Sequence, residues 1–172
     1  MLKNESEIIR LILSALPSCR IAIIGSGTED YYKKLQPYIW SNIYEPFQEI
    51  HKIVNFDIKS GRGIDVVIEN PDDYKQKYKF DLVLACSLFE HVEDPQKSAL
   101  ALYNIAKKDG TFIFSSPGEW PYHEDPIDNM LRFDSVAKWR VMLPKVFDIK
   151  AYFKLPPQDM GYVTMVICHK TK

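Results

Sequence analysis

Apolar positions along this chain come in blocks of changing period, and each change marks an element. Over 5–16 the residues Ile8, Ile9, Leu11, Ile12, Leu13 and Leu16 recur at helical spacing until Pro17, which predicts an amphipathic N-terminal helix (1–17) lying on one face of a sheet. Ile21 to Ile24 is a continuous apolar run, as expected of a strand covered on both faces, and it stops in Gly25-Ser26-Gly27-Thr28. A short helix is expected over 29–35, and 37–47, aromatic and broken by Pro37 and Pro46, reads as a packed irregular segment. Strands follow at 53–58 and 65–68, joined by the turn Ser60-Gly61-Arg62-Gly63, and then at 80–86. Asp94-Pro95 opens a helix that runs through Leu100 and Ile105 to an end signal at Lys107-Lys108-Asp109-Gly110. A strand at 111–116, a long polar and aromatic loop, a helix at 134–143 and a terminal hairpin of 147–155 and 162–169 complete the pattern.

Strands alternating with helices and closed by a hairpin predict an α/β protein of three layers, with a mostly parallel sheet and one antiparallel strand near an edge. A chain of 172 residues, 46% of them hydrophobic, supports one domain with a continuous core, and it contains no repeat or linker. A formal charge of −1 argues against a nucleic-acid or anionic-membrane partner. Cys19, Cys86 and Cys168 are odd in number and scattered, so buried free thiols are expected, with neither disulfide nor metal. Met1 to Arg10 carries no apolar signal core and no run reaches the roughly 18 apolar residues of a membrane span, which predicts a cytoplasmic setting.

In open α/β sheets ligands bind beyond the carboxyl ends of the strands. Those ends present Gly25-Ser26-Gly27, then Asp57-Ile58, Glu69-Asn70, Ser87-Leu88-Phe89-Glu90-His91 and Ser116-Pro117-Gly118. Two glycines let backbone approach a ligand closely, and a carboxylate after the second strand can accept from both hydroxyls of a ribose. Asp30 stands where a third glycine of a nicotinamide site would fall, which disfavours a dehydrogenase.

Phe80 to Pro95, with its Glu90-His91-Val92 and Asp94-Pro95, resembles strand four and the helix entry of the class I S-adenosylmethionine-dependent methyltransferases, in their compact small-molecule branch. Lys108 to Pro117, Tyr122 to Asp128 with Arg132-Phe133, and Asn55 to Val67 are similar to further blocks of that branch. The resemblance spans about Arg20 to the end. It implies a Rossmann-like α/β/α sandwich on a seven-stranded sheet, with S-adenosylmethionine as cofactor and S-adenosylhomocysteine as product. It further implies that Gly25, Ser26 and Gly27 approach the methionine part, that Asp57 with Ile58 beside it takes the ribose, that Glu69 and Asn70 flank the adenine, and that Ser87 and Leu88 line the cofactor. Two positions depart from the family pattern: Ile23 replaces an acid and Glu29 a small residue. They motivate an alternative, a catalytically degenerate member acting as a binding or partner subunit.

Methyl transfer from a sulfonium is chiefly a matter of alignment, which can supply about 7–11 kcal/mol, against about 10²–10⁴ in rate from a general base. The acceptor expected is a small molecule held by the loop 117–133. His123 is the first candidate base and His91 the second, with Glu90, Trp120, Tyr122 and Arg132 as substrate-facing candidates. Asp128 and Arg132, four residues apart, are spaced to pair and hold that loop. The aromatics Tyr38, Trp40, Trp120, Tyr122, Phe133 and Trp139 divide between core and pocket wall. Glu90, His91, Glu93 and His123 lack metal-ligand spacing, so no metal is expected.

Overall fold

The computed structural model describes residues 3–26, 43, 45–68, 79–119, 131–156 and 161–171. Helix α1 is Lys3–Ala15, and strands β1 (Arg20–Ile24), β2 (Lys52–Asp57), β3 (Val66–Val67) and β4 (Phe80–Cys86) follow. Next come α2 (Pro95–Ile105), β5 (Ala106–Pro117), α3 (Val136–Met142), β6 (Phe147–Lys154) and β7 (Val163–Lys170). The seven strands form one sheet in the order β3-β2-β1-β4-β5-β7-β6. All pairings are parallel except those of β7, which runs antiparallel to both β5 and β6. A hairpin forces that reversal, so β7 is the one antiparallel strand the sequence predicts.

Each central strand is apolar on both faces because each face is covered. Ile21 and Ile23 of β1 with Leu82 and Leu84 of β4 pack against Ile9 and Leu13 of α1. Ala22, Ile24, Val83 and Ala85 face the other way, into a larger cluster with Leu102 of α2 and Trp139 of α3. The result is the expected three layers. Strand order reverses between β1 and β4, which opens a crevice at their carboxyl ends.

The β2–β3 connection contains no helix: residues 58–65 turn back directly, and Asp65 Oδ2 accepts from the Asn55 backbone N–H at 2.8 Å to hold the turn. Two sequence expectations need correction. The helix predicted to run to Lys107–Gly110 ends at Ile105, and Ala106 already belongs to β5. Phe80 pairs Ala106 but Leu82 pairs Thr111, so 107–110 bulge out of the ladder, because the buried Ala106 is drawn into the sheet beside Phe80. The helix expected over 134–143 spans only Val136–Met142: its cap is Ser135, whose Oγ accepts from the Lys138 N–H, while Asp134 forms an ion pair with Lys138 Nζ at 2.6 Å.

Candidate functional site

At the end of β1 the chain turns through Gly25, whose φ of +66° is the left-handed conformation that favours glycine. The N–H groups of Gly25 and Ser26 both donate to the Phe56 carbonyl of β2, at 2.9 and 3.1 Å, which ties the loop to the neighbouring strand. A Cβ on Gly25 would stand 3.3 Å from Leu88 Cδ1, so the glycine loop and the end of β4 close on one another with no room for a larger residue to settle.

Asp57 ends β2. Its Oδ1 accepts from the Lys59 N–H at 3.0 Å, an Asx turn that fixes the carboxylate at the rim, and Ile58 beside it is 56% exposed, an apolar surface next to an acid. Ser87, just past β4, has φ of +50°, an uncommon conformation for a residue with a side chain. It is held there because its N–H donates to both the carbonyl and the Oγ of Ser115 on β5, each at 3.1 Å.

Beyond Ser87 a 3-10 turn, Phe89–His91, is closed by the His91 N–H on the Leu88 carbonyl at 2.9 Å. It buries Glu90, 1% exposed, whose Oε1 lies 3.8 Å from His91 Nε2 and whose Oε2 has no hydrogen-bond partner among the described residues. Burial raises the Glu90 carboxyl to about 8; its own backbone N–H opposes the shift, the nearby Glu5 adds to it, and the charges of the chain's amino terminus and of Arg132 oppose it. Arg132 therefore faces the same rim. His91 does not cap α2, since Asp94 does so by accepting from the Lys97 N–H at 3.0 Å.

Glu5 was not among the residues singled out from sequence. It is fully buried, and Ser115 Oγ donates to its Oε1, so the first turn of α1 sits over the carboxyl ends of β4 and β5. A signal was present: Glu5, Ile9 and Leu13 are four apart, so the acid lies on the stripe that α1 buries.

The structure thus brings Gly25, Ser26, Asp57, Ile58, Ser87, Leu88, Glu90 and His91 to one rim. Ser26 is buried, with its hydroxyl turned toward the Phe56 carbonyl. Gly27, Glu69, Asn70, Trp120, Tyr122, His123 and Asp128 lie outside the described residues, as do Tyr38 and Trp40. Phe133 and Trp139 are core and not pocket wall; the Trp139 indole N–H donates to Thr164 Oγ1 at 3.0 Å. The cysteines are free, but only Cys168 is buried as expected, Cys19 and Cys86 being partly exposed. Cys19 Sγ lies 3.4 Å from His51 Nδ1 at the opposite end of the sheet, and Cys168 is buried, its thiol pushed up to about 12 mainly by that burial. Among the described residues no cluster of three potential ligands could hold a metal ion, and no helix is long and apolar enough to cross a membrane.

A glycine turn at a strand-order reversal, an acid after β2 and a polar rim after β4 define a nucleotide-cofactor site of the doubly wound α/β class. Residues 24–114, more than half of the chain, match the family model described as a methyltransferase domain, and the chain belongs to the class I S-adenosylmethionine-dependent methyltransferases. No curated protein sequence matches it. Solved structures share its fold at low identity. The N-methyltransferase NodS from Bradyrhizobium japonicum WM9, in complex with S-adenosyl-L-homocysteine, is 11% identical with a TM-score of 0.60, over 98% of this chain and 87% of that one. The 1,6-didemethyltoxoflavin-N1-methyltransferase of Burkholderia thailandensis, with bound 1,6-didemethyltoxoflavin and S-adenosylhomocysteine, is 12% identical with a TM-score of 0.64, over 99% and 78%. The magnesium protoporphyrin IX methyltransferase of Synechocystis PCC 6803, with the same product bound, is 12% identical with a TM-score of 0.65, over 98% and 83%.

Proposed function

We propose that this protein transfers a methyl group from S-adenosylmethionine to a small-molecule acceptor, the cofactor lying across the carboxyl ends of β1, β2 and β4. The observation that carries this reading is the convergence of the Gly25 turn on Leu88, with Asp57 and the exposed Ile58 at the neighbouring strand end. The residues fit the group: a turn closed by bare backbone for the amino-acid part, a carboxylate for ribose hydroxyls and an apolar ledge for a purine. Small-molecule methyltransferases among the structural neighbours, crystallised with S-adenosylhomocysteine, support the same assignment.

When bound, the cofactor supplies an electrophilic methyl already activated by the positive charge on its sulfur. What remains for the chain is binding, alignment and exclusion of water. Gly25, Ser26, Gly27, Ser87 and Leu88 hold the amino-acid part, Asp57 the ribose, and Glu69 and Asn70 the adenine. Glu90 and Arg132 border the acceptor side, with Trp120 and Tyr122 from the loop 117–133. His123 serves as the base where the acceptor loses a proton, with His91 as the second candidate. The setting proposed is cytoplasmic.

Calorimetric titration with S-adenosylmethionine and with S-adenosylhomocysteine tests this. Micromolar binding that Asp57→Ala abolishes supports it. Absence of binding to folded protein favours the reading of a partner subunit that has kept only the fold, for which Ile23, apolar and buried where the family carries an acid, is the specific observation. His123→Ala is expected to lower kcat and leave cofactor affinity unchanged.

A further inference from the structure

Antiparallel pairing brings the start of β7 to the carboxyl end of β5, with Pro117 opposite Val163. Tyr162, the residue just before β7, therefore stands on the rim where the loop 117–133 leaves the sheet. Its carbonyl accepts from the N–H groups of Gly118 and Glu119, at 2.9 and 3.4 Å, and its ring lies against Gly118. A Cβ on Gly118 would stand 2.0 Å from Tyr162 Cε2, and the three atoms it would meet first all belong to that ring. The φ of Gly118 is not positive, so the ring and not the backbone requires glycine there. Lys154, at the end of β6, sets its Nζ 3.8 Å from the ring centroid, a cation–π contact that helps to hold the ring in place. The same hairpin holds the other end of the loop: Thr164 Oγ1 donates to the Phe133 carbonyl at 2.6 Å, and the Tyr152 hydroxyl donates to the Asp134 carbonyl at 2.9 Å. Tyr162 and Thr164 are two residues apart, so the two ends are tied to points roughly 7 Å apart along one strand.

We infer that Tyr162 is a positioning residue for the acceptor side of the site: it fixes the start of the loop 117–133 at a set distance from the end that carries Arg132. The inference rests on the proposal that this loop holds the acceptor. In that proposal the cofactor lies across the ends of β1, β2 and β4, and β5 stands between β4 and β7. Loss of Tyr162 therefore acts on the acceptor side and leaves the cofactor side as it is. A loop anchored at one end only samples many more arrangements, and alignment with the methyl group is the larger part of this reaction's acceleration, so the cost of losing the second anchor falls on the acceptor.

The test combines amide hydrogen exchange, read residue by residue by NMR, with calorimetry using S-adenosylhomocysteine, on the full chain and on Tyr162→Phe, Tyr162→Ala, Gly118→Ala and the double variant Gly118→Ala with Tyr162→Ala. Tyr162→Phe keeps the ring and the carbonyl and should match wild type. Tyr162→Ala should exchange the Gly118 and Glu119 amides roughly 5- to 10-fold faster, as for the loss of one net hydrogen bond. The Leu155 amide, bonded to the Val163 carbonyl, and the Trp139 amide, bonded to the Ser135 carbonyl, should keep their rates, and affinity for S-adenosylhomocysteine should be unchanged. Gly118→Ala should have the same effect by displacing the ring, and combining it with Tyr162→Ala should add nothing, because the ring it strikes is gone. The inference is overturned if Tyr162→Ala leaves the Gly118 and Glu119 amides at wild-type rates, or if Tyr162→Phe quickens them as much as Tyr162→Ala does. It is equally overturned if all four amides quicken together or if affinity for S-adenosylhomocysteine falls with them, since Tyr162 would then serve the fold or the cofactor. Failure of S-adenosylhomocysteine to bind folded wild type removes the methyltransferase reading and the acceptor role with it, whereas failure of the exchange results alone leaves that reading standing.

Discussion

At the scale of single residues the site is shaped by groups held where their chemistry is unfavourable in isolation. Glu90 is the clearest. A carboxyl raised to about 8 in the folded chain binds a proton that the unfolded chain releases near its ordinary 4.5, so the folded state holds more protons between those values. Stability from this group is full below about 4.5 and is lost as pH rises toward 8. Glu90→Gln removes the dependence: denaturant titrations are expected to show wild type losing on the order of a few kcal/mol between pH 5 and 8 that the variant does not lose. Equal slopes would refute the assignment. Gly25 makes a second test. Alanine there meets both the positive φ and Leu88 Cδ1, so Gly25→Ala should cost about 1 kcal/mol in stability and weaken cofactor binding as the loop shifts away from Leu88.

At the scale of elements, caps and strand ends decide where the chemistry stands. Asp94 caps α2 and Pro95 takes its first position, so that the turn Phe89–His91 is held between β4 and a fixed helix start. Asp94→Ala is expected to cost about 1 kcal/mol, seen as a lower Tm, with cofactor affinity little changed if the β4 end is held chiefly by Ser115. α1 is fastened at both ends: Glu5 meets Ser115 at one rim, and at the other His51 Nε2 reaches the Leu13 carbonyl at 3.2 Å while its Nδ1 accepts from the Cys19 N–H at 3.3 Å. Those bonds make His51 a tie between helix, β1 and β2.

At the scale of the whole molecule one core connects the helices to the rim. Trp139, fully buried, donates to Thr164 Oγ1, whose hydroxyl donates at 2.6 Å to the carbonyl of Phe133, next to Arg132. Trp139→Phe should therefore lower stability by about 1–3 kcal/mol and loosen the segment that carries Arg132, read as a lower Tm together with altered acceptor kinetics. Ligand binding acts on the same cooperative unit. At 100 times Kd, S-adenosylhomocysteine should stabilise the chain by about 2.7 kcal/mol, a rise in Tm of roughly 5–10 °C for a domain of this size, and no shift would argue for a protein that has lost its cofactor. Much of this was legible in the residues. Continuous apolar runs such as Ile21–Ile24 and Phe80–Cys86 marked the buried strands, and Asp94-Pro95 marked a helix start, because period and capping are local properties of the chain. The strand ends put Asp57 and Ser87 in the candidate site for the same reason. Lys107–Gly110 was misread because a turn signal cannot tell a helix end from a bulge when the difference lies in the pairing of Ala106 with Phe80. Local sequence thus determined the elements, their order and the residues at each strand end, since these follow from spacing along the backbone. Only the tertiary structure decided that Glu5 meets Ser115 beside Glu90 and that Trp139 is core, because those contacts join positions distant in sequence, and their burial depends on what the rest of the fold lays over them.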